Sequence, residues 1–320
     1  MAKRLAANLL FCVALVPLAA AAQSFPTRAV RFMVPFPPGG ATDIVGRLVA
    51  AKMQDVWGQP VVIENKPGAG TVVGTEFVAK SAPDGYTLGF VVTAYVINPS
   101  LRTDLPYDTL KDLTGVTQVS VQHLVMAAYP GFPANNVSEL IALAKKEPGK
   151  LAYATPGSGT AMHLSVELLK TATGIDIVHV PYKGGAAAQQ DVMAGRVPIL
   201  MDVLYAVQPL INSGKIKVLA LLSPQRAPGS PEYPVVSETV PGVSALSLVG
   251  IVAPAATPRE LVHRISADIA RAVKGSDLTE RMKQQGMEPI GSTPEQFDAV
   301  IRSEMEKWAK VVKQSGAKVD

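Results

Sequence analysis

The chain is poor in the residues that most often settle a protein's chemistry at once. It has one cysteine in 320 residues, Cys12, which excludes a disulfide scaffold and any cysteine-based zinc site. Its four histidines, His123, His163, His179 and His263, show no HxxxH spacing. No metal is therefore expected, and each histidine reads as a hydrogen-bonded or surface residue. Charged residues make up only 18% against 48% apolar, a balance that excludes disorder and leaves material for about two globular domains. Beyond the N-terminus no long hydrophobic run exists. The longest, Ala245 to Ala253, meets Pro254 and falls far short of the roughly 20 residues a spanning helix needs, so it reads as a buried strand.

What is present starts at the first residue. Lys3 and Arg4 precede an apolar run that ends in Ala20-Ala21-Ala22, the three parts of a secretory signal peptide. Cleavage is expected before Gln23. Removing residues 1–22 takes away Lys3, Arg4 and Cys12 and no acidic group, lowering the formal charge from +4 to +2. So small a surplus gives no reason to expect a nucleic-acid partner. Phe11 is too large for the position before a lipoprotein cysteine. Export without disulfides suits the bacterial periplasm, and the mature chain is expected to be soluble and monomeric.

The patterning alternates between strand and helix. VRFMVPF from Val30 is short, apolar and rich in β-formers; PPGG breaks it, and TDIVGRLVAAKMQDVWG carries apolar residues at helical spacing. The order recurs as VVIEN, KPGAG and TVVGTEFVAK, followed by the strand YTLGFVVTA. A second set runs from VSELIALAKK through KLAYATP, AMHLSVELLKTATG, IVHVPYKG, AAAQQDVMAG and RVPILMDV to KIKVLALLS. Two amphipathic helices, Pro258–Lys274 and Pro294–Ser315, close the chain. Such alternation predicts parallel sheets covered by helices. Extended crossovers near Val116–Ala127 and Ser223–Ala253 divide the chain into lobe one, residues 23–122 and 227–320, and lobe two, residues 123–226. A cleft between lobes, at the carboxyl ends of the strands, is the expected site.

Two turns there stand out. Pro38, Gly39, Gly40, Ala41, Thr42 and Asp43 lie between a strand and a helix start, where glycines admit a ligand to the backbone and free N–H groups attract an anion. The alternative is a plain turn capped by Thr42 or Asp43. Ser158, Gly159 and Thr160 repeat the logic in lobe two. Ser158 lacks the GxSxG elbow, so an exported hydrolase using Ser158 and His163 is a minor alternative. Lys183, at the end of VPYKGG, is either a charge partner in the cleft or a solvated loop residue. Asp202 orients a ligand amino group or caps a helix, and Thr93, Ala94 and Tyr95 end the third strand beside the cleft, with Tyr95 equally placed for the core. Gly68-Ala69-Gly70 with Gly74 imitates a dinucleotide fingerprint, but Pro67 interrupts it and no acidic residue follows at the required distance. No cofactor is expected.

Taken in order, PFPPGGATD, VVIENKPGAG, SAPDGYTL, INPSL, PGSGTAMHL, VPYKGG and APAATP resemble the substrate-binding receptors of tripartite tricarboxylate transporters, the Bug family of bacterial periplasmic proteins. The resemblance covers essentially the whole mature chain. It implies an α/β, two-lobed periplasmic-binding-protein fold of type II (Venus-flytrap) with its ligand cleft between lobes, no catalysis, and delivery to a permease of one large and one small membrane subunit. It implies a small organic carboxylate as ligand: a di- or tricarboxylate, an acidic amino acid or an aromatic acid. The carboxylate is expected at Gly39 to Asp43 and at Ser158 to Thr160, held by backbone N–H groups and bridging waters, with His163 close by. Leu246 and Leu248 replace a tryptophan common in the family, and Met162 stands where small residues are usual, which points to an altered pocket shape. A sensory binding protein that presents its ligand to a membrane kinase would use the same cleft.

Overall fold

The computed structural model describes residues 25–227, 229–284 and 287–317. The expected signal peptide and its expected cleavage point before Gln23 lie outside the described residues. From Val30 the chain builds β1 (Val30–Val34), α1 (Ala41–Trp57), β2 (Val61–Asn65), a short 3-10 turn (Ala69–Thr71), α2 (Val72–Ala79), β3 (Thr87–Val92) and α3 (Ala94–Leu101). β1 pairs in parallel with both β2 and β3. The buried, β-branched or aromatic residues Val30, Phe32 and Val34 supply the strand's inner surface.

The long strand β4 (Leu113–Ala128) then leads to α4 (Val137–Lys146), β5 (Ala152–Thr155), α5 (Ala161–Thr173), β6 (Val178–Pro181), α6 (Gly185–Met193), β7 (Ile199–Val203), α7 (Leu204–Asn212) and β8 (Lys217–Leu221). β5 pairs in parallel with β6 and β7. The chain ends with α8 (Val236–Thr239), β9 (Leu246–Pro254), α9 (Arg259–Lys274), α10 (Ser276–Gln284), β10 (Met287–Pro289) and α11 (Pro294–Ser315).

The expectation of parallel sheets is corrected by β4 and β9. The strand order is β2-β1-β3-β9-β4-β7-β5-β6, with β8 and β10 also on β4, and every pairing made by β4 or β9 is antiparallel. β4 is continuous through both groups of strands. Its residues Leu113 to His123 pair with β9, and Leu124 to Ala128 pair with β7. All of its apolar residues but Val121 are buried, so it reads as one uninterrupted run. Gly250 in β9 is required by packing, because a methyl there would overlap the ring of Phe297 from α11.

A second correction concerns Ala94 and Tyr95. They open α3 rather than end β3, and Pro99 sits inside that helix. Tyr95 is 1% exposed and its hydroxyl donates to the Thr109 carbonyl at 2.6 Å, so it belongs to the core.

Candidate functional site

A cavity of about 190 Å³ lies where the carboxyl ends of β1, β3, β5, β6 and β7 meet. Its wall is made by Phe36 to Pro38 and Gly40 to Thr42, Val92 to Ala94, Gln122, Pro156, Thr160 to Met162, Lys183 to Ala187, Asp202, Val203 and Ser247. The starts of α1, α5 and α6 therefore converge on one space. The first amides of a helix have no carbonyl of their own to bond, and aligned peptide dipoles add positive potential there. Ala41 and Thr42, Ala161 and Met162, and Gly185 to Ala187 present such amides from three directions, which suits an anion. Most of the remaining wall is apolar, which suits an organic skeleton.

Of the residues singled out from the sequence, Pro38, Gly40, Ala41, Thr42, Thr93, Ala94, Thr160, Lys183 and Asp202 line this cavity. The other six lie off its wall. Gly39 spends its N–H on the Asp43 carboxylate at 2.9 Å, and that carboxylate also accepts from Arg47 at 2.8 and 3.1 Å and from Asn65 at 2.9 Å. Burial alone would raise the Asp43 pKa, but the bonds from Arg47, Gly39 and Asn65 outweigh it and hold the carboxyl below its usual range. Asp43 thus shapes the first loop from behind. Tyr95 is core, as above.

In the second loop the Gly159 N–H donates to Nδ1 of His163 at 3.3 Å, and the Thr160 hydroxyl caps α5 by accepting from the His163 N–H at 3.3 Å. The His163 ring is buried and stacks on His179 with centroids 4.0 Å apart. His179 in turn meets the Thr155 hydroxyl at 2.7 Å, and burial, with His163 and Lys170 adding to it, depresses its pKa to about 3. Ser158 lines a neighbouring, wider cavity. Among the described residues no group of three or more His, Cys, Asp or Glu side chains is arranged to hold a metal ion.

Asp202 is the one carboxylate on the inner wall among the described residues. It is 1% exposed, accepts from Gln189 Nε2 at 2.9 Å and from the Val203 N–H at 2.8 Å, and burial, only partly offset by those bonds, pushes its pKa up to about 6. It does not cap α7. A methyl on Gly185 would come within 2.6 Å of its Oδ2, so α6 starts with glycine where it approaches this side chain.

Sequence reasoning missed Gln122, Tyr205 and Ser247. Gln122 Nε2 donates to the Tyr205 hydroxyl at 3.2 Å, and that hydroxyl donates to the Ala41 carbonyl at 2.6 Å. Tyr205 thereby ties the start of α7 to the start of α1, across 164 positions of sequence. The only signal available was a polar Gln122 inside the apolar run VSVQHLVMAA. Tyr205→Phe is expected to lower stability by about 1–3 kcal/mol, since it removes the bond to the Ala41 carbonyl and leaves the buried Gln122 amide without its acceptor. Chemical denaturation should show a lower midpoint with an unchanged slope.

Parallel βα units on either side of two long antiparallel strands, enclosing one pocket ringed by helix N-termini, define a solute-binding protein. The chain belongs to the tripartite tricarboxylate transporter receptor family, whose model matches residues 45–317. It is 36% identical over 301 residues to the protein BugT of Bordetella pertussis, covering 93% of this chain and 92% of that one. Among solved structures it is similar to an R. palustris protein with adipate, at 34% identity and a TM-score of 0.89 over 92% of this chain and 100% of the other. It is also similar to MatC from Rhodopseudomonas palustris with bound malate, at 31% identity and a TM-score of 0.84 over 90% of this chain and 100% of the other. The fold is the α/β periplasmic-binding-protein fold of these relatives.

Proposed function

We propose that residues 1–22 direct export to the periplasm, and that the mature chain captures a small organic carboxylate between its two lobes and hands it to a permease of one large and one small membrane subunit. The observation that carries this reading is the convergence of the α1, α5 and α6 starts on one largely apolar pocket. The adipate and malate of the two R. palustris relatives support a carboxylate. The lobes are residues 23–122 with 227–320, and residues 123–226. They hinge where β4 changes partners between His123 and Leu124 and where the chain returns between β8 and β9.

The carboxylate docks on amides of one lobe, and closure brings the amides of the other onto it; the closed state is favoured by the contacts it alone makes. Charge-assisted hydrogen bonds contribute about 1.5–3 kcal/mol each. Micromolar binding corresponds to about 8 kcal/mol, so these bonds must be joined by burial of the ligand's apolar skeleton to offset desolvation and the ordering of two lobes. Pro38, Gly40, Ala41, Thr42, Thr93, Ala94, Thr160, Lys183 and Asp202 are the residues proposed to meet the ligand. Gly39, Asp43, Gly159 and His163 hold the two loops that present it, and Ser158 lines the neighbouring cavity.

A thermal-shift screen of the mature chain against mono-, di- and tricarboxylates, acidic amino acids and aromatic acids tests the reading. One acid should raise the melting temperature by several degrees and increasingly with concentration, as mass action requires. No shift with any acid, for folded and ligand-free protein, would overturn it. Lys183→Met is expected to cost a dicarboxylate about tenfold in affinity and a monocarboxylate at most about twofold, since Lys183 forms no ion pair among the described residues and one charge-assisted bond is worth about that factor. Equal losses in calorimetry would assign Lys183 to the loop alone.

A further inference from the structure

A second, wider cavity of about 670 Å³ adjoins the inner pocket, and Phe36, Pro37, Pro156, Thr160 and Lys183 line both. The outer space is bounded by the turn Gly68–Thr71 on one side and by Gly157, Ser158 and Tyr182 on the other. Among the described residues two cationic side chains line it, Arg102 and Lys183, and no carboxylate does. Among the described residues neither cation takes part in an ion pair, and the Arg102 guanidinium makes no hydrogen bond, its Nε being buried without a partner. Uncompensated cations from two sides of a concave space raise its affinity for anions.

The wall itself is built to face this space. A Cβ on Gly70, at φ +62°, would lie 2.8 Å from the Ser158 carbonyl and 3.6 Å from Nη2 of Arg102, so only glycine lets the turn approach both. Thr71 adopts φ +81°, a left-handed backbone that a β-branched residue rarely takes. It is 3% exposed, lines the cavity, and its hydroxyl has no hydrogen-bond partner among the described residues. A buried hydroxyl without a partner is uncommon in folded proteins.

We propose that Arg102, with Thr71 and Lys183, forms an outer anion subsite that takes the distal carboxylate of an extended dicarboxylate whose first carboxylate sits at the inner helix starts. This rests on the carboxylate-receptor reading above and extends it to the length and second charge of the ligand. The placement follows from charge. Asp202 makes the inner pocket unfavourable for a second carboxylate, whereas the outer cavity supplies cations and no competing acid.

The test is calorimetry on the mature chain with straight-chain α,ω-dicarboxylates from succinate to suberate, beside monocarboxylates of matched length. In the wild type some chain length should give a dicarboxylate binding about tenfold or more tighter than its monocarboxylate partner, the worth of one charge-assisted contact. Arg102→Met should remove most of that ratio, and Arg102→Lys should keep part of it, because the charge remains while the bidentate fork is lost. Arg102→Met is expected to melt within a few degrees of the wild type, since the guanidinium holds nothing in place. Should Arg102→Met leave the ratio intact, or weaken both series equally, the outer subsite is overturned while the receptor reading stands. Should no acid of either series bind the wild type, both fall together.

Discussion

Gly40→Val should abolish carboxylate binding while the protein stays folded. Gly40 is the N-cap of α1 with φ −78° and ψ 169°, an extended conformation open to any residue, and a Cβ there would meet only the Pro37 carbonyl at 3.5 Å, an ordinary contact. Valine is a poorer N-cap than glycine and forgoes about 1 kcal/mol, a drop of about 1–2 °C in melting temperature for a chain of this size. The ligand loses far more. Gly40 lines the inner cavity beside Ala41 and Thr42, so the added methyls take up space the ligand needs there. Loss of two charge-assisted bonds is about 3–6 kcal/mol, or a factor of about 100 or more in affinity. Calorimetry on the acid found by the thermal screen, beside a melting curve of each protein, reads both numbers. Affinity within about threefold of the wild type would remove the α1 start from the site.

Gly159 does not offer the same test, although the sequence makes the two loops look alike. Gly159 sits at φ +76°, where a β-branched side chain is strained whatever space surrounds it. Its amide is also already donated to His163. Gly159→Val should therefore destabilise the start of α5 itself, and a loss of binding there would say little about contact with the ligand.

The contrast shows how much of the site was legible in sequence. PFPPGGATD and TPGSGT both announce strand, glycine turn and helix start, and both turns do border the inner pocket through Gly40 to Thr42 and through Thr160. Which amide in each turn is free depends on partners that no local pattern reveals: Asp43 takes Gly39, and His163 takes Gly159. α3 was hidden for a different reason. YTLGFVVTAYVINPSL is buried at every position from Thr87 to Asn98, and periodicity cannot separate a buried strand from the helix that follows it there. The same uniform burial concealed the antiparallel course of β4 and β9. Gln122, Tyr205 and Ser247 come from three distant segments, so only the fold brings them to the start of α1.

Asp202→Asn should change how both stability and binding depend on pH, and in opposite senses for two kinds of ligand. Burial raises the folded pKa of Asp202 from 3.8 to about 6. Below about pH 4 the group is protonated in the folded and unfolded chains alike and contributes nothing. Between about 4 and 6 the unfolded chain releases its proton first, so stability falls as pH rises, and the loss levels off above 6 at about 3 kcal/mol. Asparagine removes that loss and can still accept one of the two bonds from Gln189 and Val203. The variant should therefore match the wild type near pH 4 and exceed it by up to about 3 kcal/mol at pH 7, read by denaturation at each pH. For a simple carboxylate, an ionised Asp202 on the pocket wall is repulsive, so wild-type affinity should decline as pH rises through about 6. For a ligand that carries an ammonium group the same ionisation is attractive, and affinity should climb. In either case the asparagine variant should flatten the profile between pH 5.5 and 8, because the titrating charge is gone. A slope that survives in the variant would show that another group sets it, and a flat wild-type profile would take Asp202 out of contact with the ligand.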